Sequence, residues 1–351
     1  MKRTICGVAG RSGGHIIPCL NHIQVLLEHD LEQQVLFFST DTTLDKNIVS
    51  KASFVTKHVA LPLENVPYKK WWRLPFLISG LFISLIKTTY FLIKYRPDLI
   101  ISTGGYVSLP VCLIARLLGI RVELFELNVI PGQATKALAP FASTVRICFP
   151  ETKKYLKTDN CLISPYPLRA AYKKALPTKD LALKFLDLSA HKKTILVLGG
   201  SQGSHSLNRL IPRALKEYPS ATRELQIIHQ AGNDNLEEII SLYQQLGIKA
   251  KVFSFHDHIQ QLYAATDVVI CRSGAGTLFE TLHFKKRCIT IPLKADTTTH
   301  QIDNAYSFTQ QYPDLFSMIE QHELETHPNL LVAQLKTSSN QPNAQLAPVA
   351  R

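Results

Sequence analysis

The chain has 351 residues, 46% of them hydrophobic and 19% charged, enough for two domains with separate cores and incompatible with wholesale disorder. Its formal net charge of +12 points to an anionic partner: nucleic acid, a phosphorylated metabolite or an acidic membrane surface. Seven scattered cysteines without a C-x-x-C pair argue against a disulfide framework and a zinc site, and fit a reducing cytoplasm.

Short β-rich runs alternate with helical patterns almost throughout, the mark of parallel sheets covered by helices. The first strand spans about 3–9 and runs into GVAGRSGGHIIP at 7–18, after which Ile16, Ile17, Leu20, Ile23 and Leu26 recur at helical spacing. A glycine-rich turn between strand and helix lets an anion approach backbone N–H groups; the same glycines also serve a plain tight turn. GRSGGH breaks the N-terminal apolar stretch early, so no secretory leader is expected. Further strands are expected at 34–39, 98–102, 121–126 and 144–149.

Residues 68–96 read YKKWWRLPFLISGLFISLIKTTYFLIKYR. The apolar stretch from Leu74 to Ile86 is short of the ~20 residues that cross a bilayer, and Lys69, Lys70, Arg73, Lys87, Lys94 and Arg96 flank or interleave it. It reads as an interfacial segment with a membrane patch of Trp71, Trp72, Leu74, Phe76, Leu77, Leu81 and Phe82, while Ile86, Tyr90 and Ile93 are assigned to the core. An ordinary buried helix is the competing reading.

The alternation breaks near 157–190, at SPYPLR and the Lys-rich stretch after it, then restarts with ILVLGGSQGSHSLN at 195–208. Strands are expected near 193–199, 225–230, 250–255, 267–271 and 288–292. The fold class is α/β: two doubly wound, Rossmann-like domains facing across a cleft, at 1–164 and 165–330, with a polar tail at 331–351. Neither glycine turn spells G-x-G-x-x-G, which weakens a dehydrogenase reading, and no D-x-D offers a cation site. His256-Asp257-His258 and the His322–His327 stretch lack ligand spacing, so neither a metal nor a cofactor is expected.

Seven motifs carry a resemblance: SGGH at 12–15, STGGYVSLP at 102–110, ELN at 126–128, GGSQG at 199–203, HQAG at 229–232, CRSGAGTLFE at 271–280 and HQxxNA at 300–305. In order and spacing they resemble the MurG family of GT-B glycosyltransferases, from about residue 4 to 310. The resemblance implies transfer of N-acetylglucosamine from UDP-GlcNAc to the C4 hydroxyl of MurNAc in lipid I (undecaprenyl-pyrophosphoryl-MurNAc-pentapeptide), giving lipid II for peptidoglycan. It implies a peripheral place on the cytoplasmic face of the cell membrane. The implied partners are UDP-GlcNAc, lipid I, the anionic membrane surface and other cell-wall synthesis proteins, with no nucleic acid.

Displacing UDP requires holding a departing pyrophosphate and deprotonating a sugar hydroxyl. The amides of Gly200 to Gly203 and the hydroxyl of Ser201 suit the leaving phosphates, with Gln202 beside them; Ser201 equally reads as a plain helix cap. The resemblance gives Glu280 the ribose hydroxyls, Arg272, Ser273 and Thr277 donor contacts, and His300, Gln301 and Asn304 the sugar and its acetamido group. Asn128 matches the other sugar contact, Arg169 a donor or pyrophosphate contact near the hinge, and Ser12, Gly13 and Gly14 the edge of the donor site. Gly10, Ser12, Gly14, His15, Gly104, Gly105 and Tyr106 are assigned to the acceptor pyrophosphate. His15 and Glu280 are the catalytic candidates, and His15 reads as general base or as phosphate ligand.

The chain departs from the family pattern at several points. Arg11 stands where glycine is typical, Ser12 replaces threonine, ELN replaces EQN so that Leu127 is apolar, and YPLR replaces NPVR. His256 stands where an aliphatic residue packs beside the uracil, leaving backbone contacts to the base intact. Beyond 310 the match is poor. A UDP-GlcNAc 2-epimerase of the same architecture is the alternative enzyme, and a basic nucleic-acid-binding protein the alternative outside enzymes.

Overall fold

The computed structural model describes residues 3–28, 33–63, 74–173, 176–200, 203–293 and 300–337. The chain divides into two units, Met1–Lys173 and Lys174–Arg351. The division falls after SPYPLR, so Arg169, expected on the donor-binding domain, belongs to the first unit.

The first unit runs β1 (Thr4–Ala9), α1 (Gly13–Leu27), β2 (Gln34–Thr40), α2 (Thr43–Ser50), β3 (Lys57–Leu61) and α3 (Leu74–Tyr95). It continues through β4 (Leu99–Gly104), α4 (Ser108–Leu117), β5 (Arg121–Glu126), α5 (Gln133–Leu138), β6 (Thr144–Ile147) and β7 (Cys161–Ile163). Among the described residues the strands form one sheet in the order β3-β2-β1-β4-β5-β6-β7, all pairs parallel. All six residues of β1 are buried. Cys6 and Val8 pack with Leu36, Phe38 and Ile100 on one face, while Ile5 and Ala9 pack with Ile16, Ile23 and Phe37 on the other. A strand buried on both faces reads as a continuous apolar run, which is how TICGVA reads.

The second unit runs α6 (Lys179–Phe185), β8 (Lys193–Leu198), α7 (His205–Lys216), α8 (Pro219–Thr222), β9 (Leu225–Gln230), α9 (Leu236–Gln245) and β10 (Lys249–Phe253). It continues through α10 (Ile259–Ala265), β11 (Val268–Cys271), α11 (Ala275–His283), β12 (Arg287–Thr290), α12 (His300–Gln311), β13 (Phe316–Met318), α13 (Gln321–Thr326) and α14 (Asn329–Thr337). The described strands again form one parallel sheet, β10-β9-β8-β11-β12-β13. In each sheet the order reverses beside the first strand, at β1/β4 and at β8/β11. At such a switch point the outgoing loops diverge and leave a crevice beyond the carboxyl ends of the strands, where doubly wound folds bind ligands.

Three short strands escape the sequence pattern: β3, β7 and β13. The tail expected from 331 starts too early, because Leu331, Val332 and Leu335 of α14 are buried in the core of the second unit.

α3 corrects another expectation. Gly80, Ser84, Thr88 and Leu92, spaced by four, form its buried stripe. A Cβ on Gly80 would stand 2.4 Å from the Pro62 carbonyl oxygen, so only glycine allows this approach. Over the first four turns small and polar side chains therefore face inward while most of the apolar ones face out. Only toward the end do Leu92, Phe91 and Tyr95 reach the core. Phe76 and Phe82 are 73% and 64% exposed, and Ile86, Tyr90 and Ile93, assigned to the core from sequence, are 55%, 56% and 52% exposed. Leu81 is exposed and Leu77 half-buried; Trp71, Trp72 and the side chain of Leu74 lie outside the described residues. Among the described residues α3 is the one helix long and apolar enough to cross a membrane, by length and composition.

Candidate functional site

At the β1/β4 switch of the first unit, three segments meet. The turn Gly10-Arg11-Ser12 leads into α1, with Ser12 in the capping position but its hydroxyl not engaged in capping. Arg11 has φ 69°, a left-handed conformation that glycine adopts freely and that costs an L-residue about 1 kcal/mol. Asp45 holds it there. Its buried carboxylate accepts the Arg11 N–H on both oxygens, at 3.1 and 2.9 Å, and the Thr40 N–H and hydroxyl at 3.1 and 2.5 Å. Asp45 went unnoticed in the sequence, where nothing separates it from the polar residues of TDTTLD.

The second segment is Gly104-Gly105-Tyr106, after β4. Gly104 and Gly105 have φ of +103° and +89°, and a Cβ on Gly105 would lie 3.1 Å from the Gly10 carbonyl oxygen. One on Gly104 would lie 3.6 Å from His15 Nδ1 and 3.8 Å from Thr135 Oγ1 of α5. Thus Gly10, His15, Gly104 and Gly105 lie close together, with Gly13 and Gly14 opening α1 and Tyr106 exposed. His15 is half-buried, and its Nδ1 lies 2.8 Å from the Thr103 carbonyl oxygen. A carbonyl can only accept, so Nδ1 carries a proton, and the neutral form of the ring has its lone pair on Nε2.

The third segment follows β5. Glu126 is buried, and its carboxylate accepts the N–H groups of Leu127, Asn128 and Gly132, each at 3.0 Å. It shapes the loop that presents Asn128, whose own amide leans on the same carboxylate at 3.4 Å. Leu127 is buried, so the apolar residue of ELN packs inward without disturbing the loop. Arg169 is half-buried in the first unit, with its buried Nε lacking a hydrogen-bond partner.

In the second unit, the loop between β8 and α7 holds Gly200 at φ +91° and Gly203 at φ +78°. A Cβ on Gly203 would stand 2.0 Å from the Ala231 carbonyl oxygen, so the turn lies directly on the HQAG loop. Ser201 and Gln202 lie outside the described residues, and the helix cap is Ser204, which accepts from the Leu207 N–H. The HQAG loop is braced from beneath. Asn208 donates to the Ala231 carbonyl and to Asp234, leaving its oxygen to accept from His229 Nε2 at 3.0 Å, while His229 Nδ1 accepts from Tyr243. Burial pushes the His229 pKa down to about 3, so this histidine is a neutral structural member.

Beside it, after β11, Arg272 is buried and fully engaged. It donates to Ser204, the Ile291 carbonyl, Ser206 and Gln321 at 2.7 to 3.1 Å. Burial pushes its pKa down to about 10. Ser273 is buried against Thr290, and its carbonyl accepts from the buried amide of Asn304. These three residues, read as substrate contacts from sequence, brace the loops of the site through these bonds. The capping residue Gly274 leaves open space where a Cβ would stand, and Gly276, Thr277 and Glu280 share a half-exposed face of α11. Gln301 of α12 accepts from the Leu293 N–H at 3.0 Å, and His300 is half-buried at the start of the same helix. His256 lies past edge strand β10, its Nδ1 accepting from the His258 N–H and its ring 5.3 Å from that of Phe253. Among the described residues no group of three or more His, Cys, Asp or Glu side chains gathers as a metal site.

The geometry is matched by likeness to known proteins. The family model "Glycosyltransferase family 28 N-terminal domain" matches residues 5–147, and "Glycosyltransferase family 28 C-terminal domain" matches 194–351, past the limit of 310 read from sequence. A UDP-N-acetylglucosamine--N-acetylmuramyl-(pentapeptide) pyrophosphoryl-undecaprenol N-acetylglucosamine transferase of Syntrophus aciditrophicus is 31% identical over 84% of this chain and 80% of its own. The protein of that name from Geotalea uraniireducens is 32% identical over 87% and 81%. The chain belongs to the MurG family. The crystal structure of Acinetobacter baumannii MurG superposes with a TM-score of 0.72 at 23% identity, covering 96% of this chain and 91% of that one. A UDP-N-acetylglucosamine 2-epimerase superposes at 0.65 with 12% identity, covering 97% and 89%, a likeness of fold alone. MurG membership and the curated relatives thus favour the transferase over the epimerase reading.

Proposed function

We propose that the chain transfers N-acetylglucosamine from UDP-GlcNAc to the C4 hydroxyl of MurNAc in lipid I, yielding lipid II and UDP. The MurG-family relatives carry that reaction in their name. The structural support is the tautomer that the Thr103 carbonyl selects for His15, which in the neutral ring leaves Nε2 as the base, on a half-buried ring beside the glycine loops. In this reading the acceptor is held by the first unit and the donor by the second. The C4 oxygen attacks C1 of the donor sugar with inversion, the C1–O bond to UDP breaks, and the hydroxyl proton passes to Nε2 of His15. The N-termini of α7 and α11 face the departing phosphates with partial positive charge, and Glu280 accepts the ribose hydroxyls. No cation is required in this scheme, because backbone amides take up the developing charge.

The membrane-facing part of the reading rests on α3. Its outward apolar face, edged by Lys87 and Lys94, suits the headgroup level of an anionic surface, where a lipid-borne acceptor is within reach. The test is transfer of labelled GlcNAc to a lipid I analogue. The wild type is expected to release UDP only when the acceptor is present, and His15→Ala to lose about 10²–10⁴-fold in kcat with donor affinity kept. An His15→Ala enzyme with full kcat and weaker acceptor binding would make His15 a phosphate ligand.

A further inference from the structure

Thr103 stands out in the pairing of β1 with β4. Val8 pairs with Ser102 and Ala9 with Gly104, so the register skips one residue, and that residue is Thr103. Bulges of this kind are rare in parallel pairs, and they re-aim a residue that a regular ladder would hold in line. Released from β1, the Thr103 carbonyl oxygen receives His15 Nδ1 at 2.8 Å. The Thr103 hydroxyl, on a buried side chain, donates back to the His15 carbonyl oxygen at 2.8 Å. The two residues, 88 apart in sequence, are thus clasped twice, once through the ring and once through the backbone.

We infer that Thr103 is the positioning residue of the transfer reaction, setting the tautomer and placement of His15 so that Nε2 faces the acceptor hydroxyl. The inference rests on the reading of His15 as general base. Free neutral imidazole populates both tautomers, and only the one protonated on Nδ1 offers Nε2 as a base. The ring bond selects that tautomer. The hydroxyl bond fixes the first turn of α1 relative to β4, so that the ring bond keeps its length. Because the bulge sits at the last residue before the two positive-φ glycines, the same local distortion that opens the glycine loop also delivers the clasp.

Thr103→Val keeps the shape and removes the hydroxyl; Thr103→Ser keeps the hydroxyl. Thr103→Val is expected to lower kcat about 5- to 10-fold, the worth of one hydrogen bond, with KM for UDP-GlcNAc unchanged and Thr103→Ser within about twofold of wild type. A tautomer readout separates positioning from mere loss of folded protein. In ¹⁵N-histidine spectra of the free enzyme, with His15 assigned by its absence from His15→Ala, the wild type and Thr103→Ser should show protonated Nδ1. Thr103→Val should show a tautomer mixture. Wild-type kcat and an unchanged His15 signal in Thr103→Val would overturn the role of Thr103 while leaving His15→Ala inactive. A fully active His15→Ala would instead remove the general-base reading, and this inference with it.

Discussion

His229 shows at the residue scale how a buried polar group holds a binding loop and makes stability depend on pH. In the folded chain it resists protonation until about pH 3, because burial disfavours the cation; unfolded, it takes a proton near 6.5. Its contribution is therefore intact above pH 6.5 and is lost as pH falls toward 3, at up to about 1.4 kcal/mol per pH unit. His229→Gln should be less stable than wild type at pH 7.5, and the gap should shrink by up to about 2 kcal/mol at pH 5. Urea titrations at the two pH values measure it, and a constant gap would mean that His229 takes up its proton as readily in the fold as in the unfolded chain. The glycine turns were legible in the sequence because their chemistry is local. The hydrogen bonds of Arg272, Ser273 and Asn304 were not: their partners lie up to 68 residues away, which no local motif reveals. Glu126 and Asp45 escaped for a different reason: a carboxylate that accepts only N–H and hydroxyl groups leaves no opposite charge at helical spacing to betray it.

Among the elements, α3 has the most to say. Its inward stripe of Gly80, Ser84 and Thr88 inverts the usual pattern, which is why the apolar period at Ile86, Tyr90 and Ile93 was read as core when it is surface. Exposed apolar area of this extent on one helix marks an interaction surface. Co-sedimentation with anionic vesicles should fall about 10- to 100-fold when Phe76, Phe82 and Ile86 are changed together to Ser, and should weaken with salt through Lys87 and Lys94. Binding that ignored both would show that protein, not lipid, covers this face. The strands that were missed share a cause. β7 and β13 are three residues each, β3 carries polar Lys57 and His58, and all three lie at sheet edges, where burial on one side only leaves too little pattern to recognise. The long central strands, buried on both faces, were all legible.

At the scale of the whole molecule, each unit carries its own sheet and core. A ligand that binds one of them should stabilise chiefly that one. UDP-GlcNAc at about 100 times its Kd contributes about 2.7 kcal/mol, and calorimetry should place the larger shift on the unfolding of the second unit. A shift confined to the first unit would move the donor site off Gly203 and Glu280. An apolar helix worn on the outside also changes what the enzyme can count. Once α3 lies in a lipid surface, the first unit no longer samples its acceptor through the volume of the solution. On the docking proposed for α3, it would meet lipid I by lateral diffusion, and turnover would follow the mole fraction of acceptor in the surface, not its bulk concentration. Diluting that surface with inert lipid at constant bulk lipid I should slow the enzyme as surely as removing substrate.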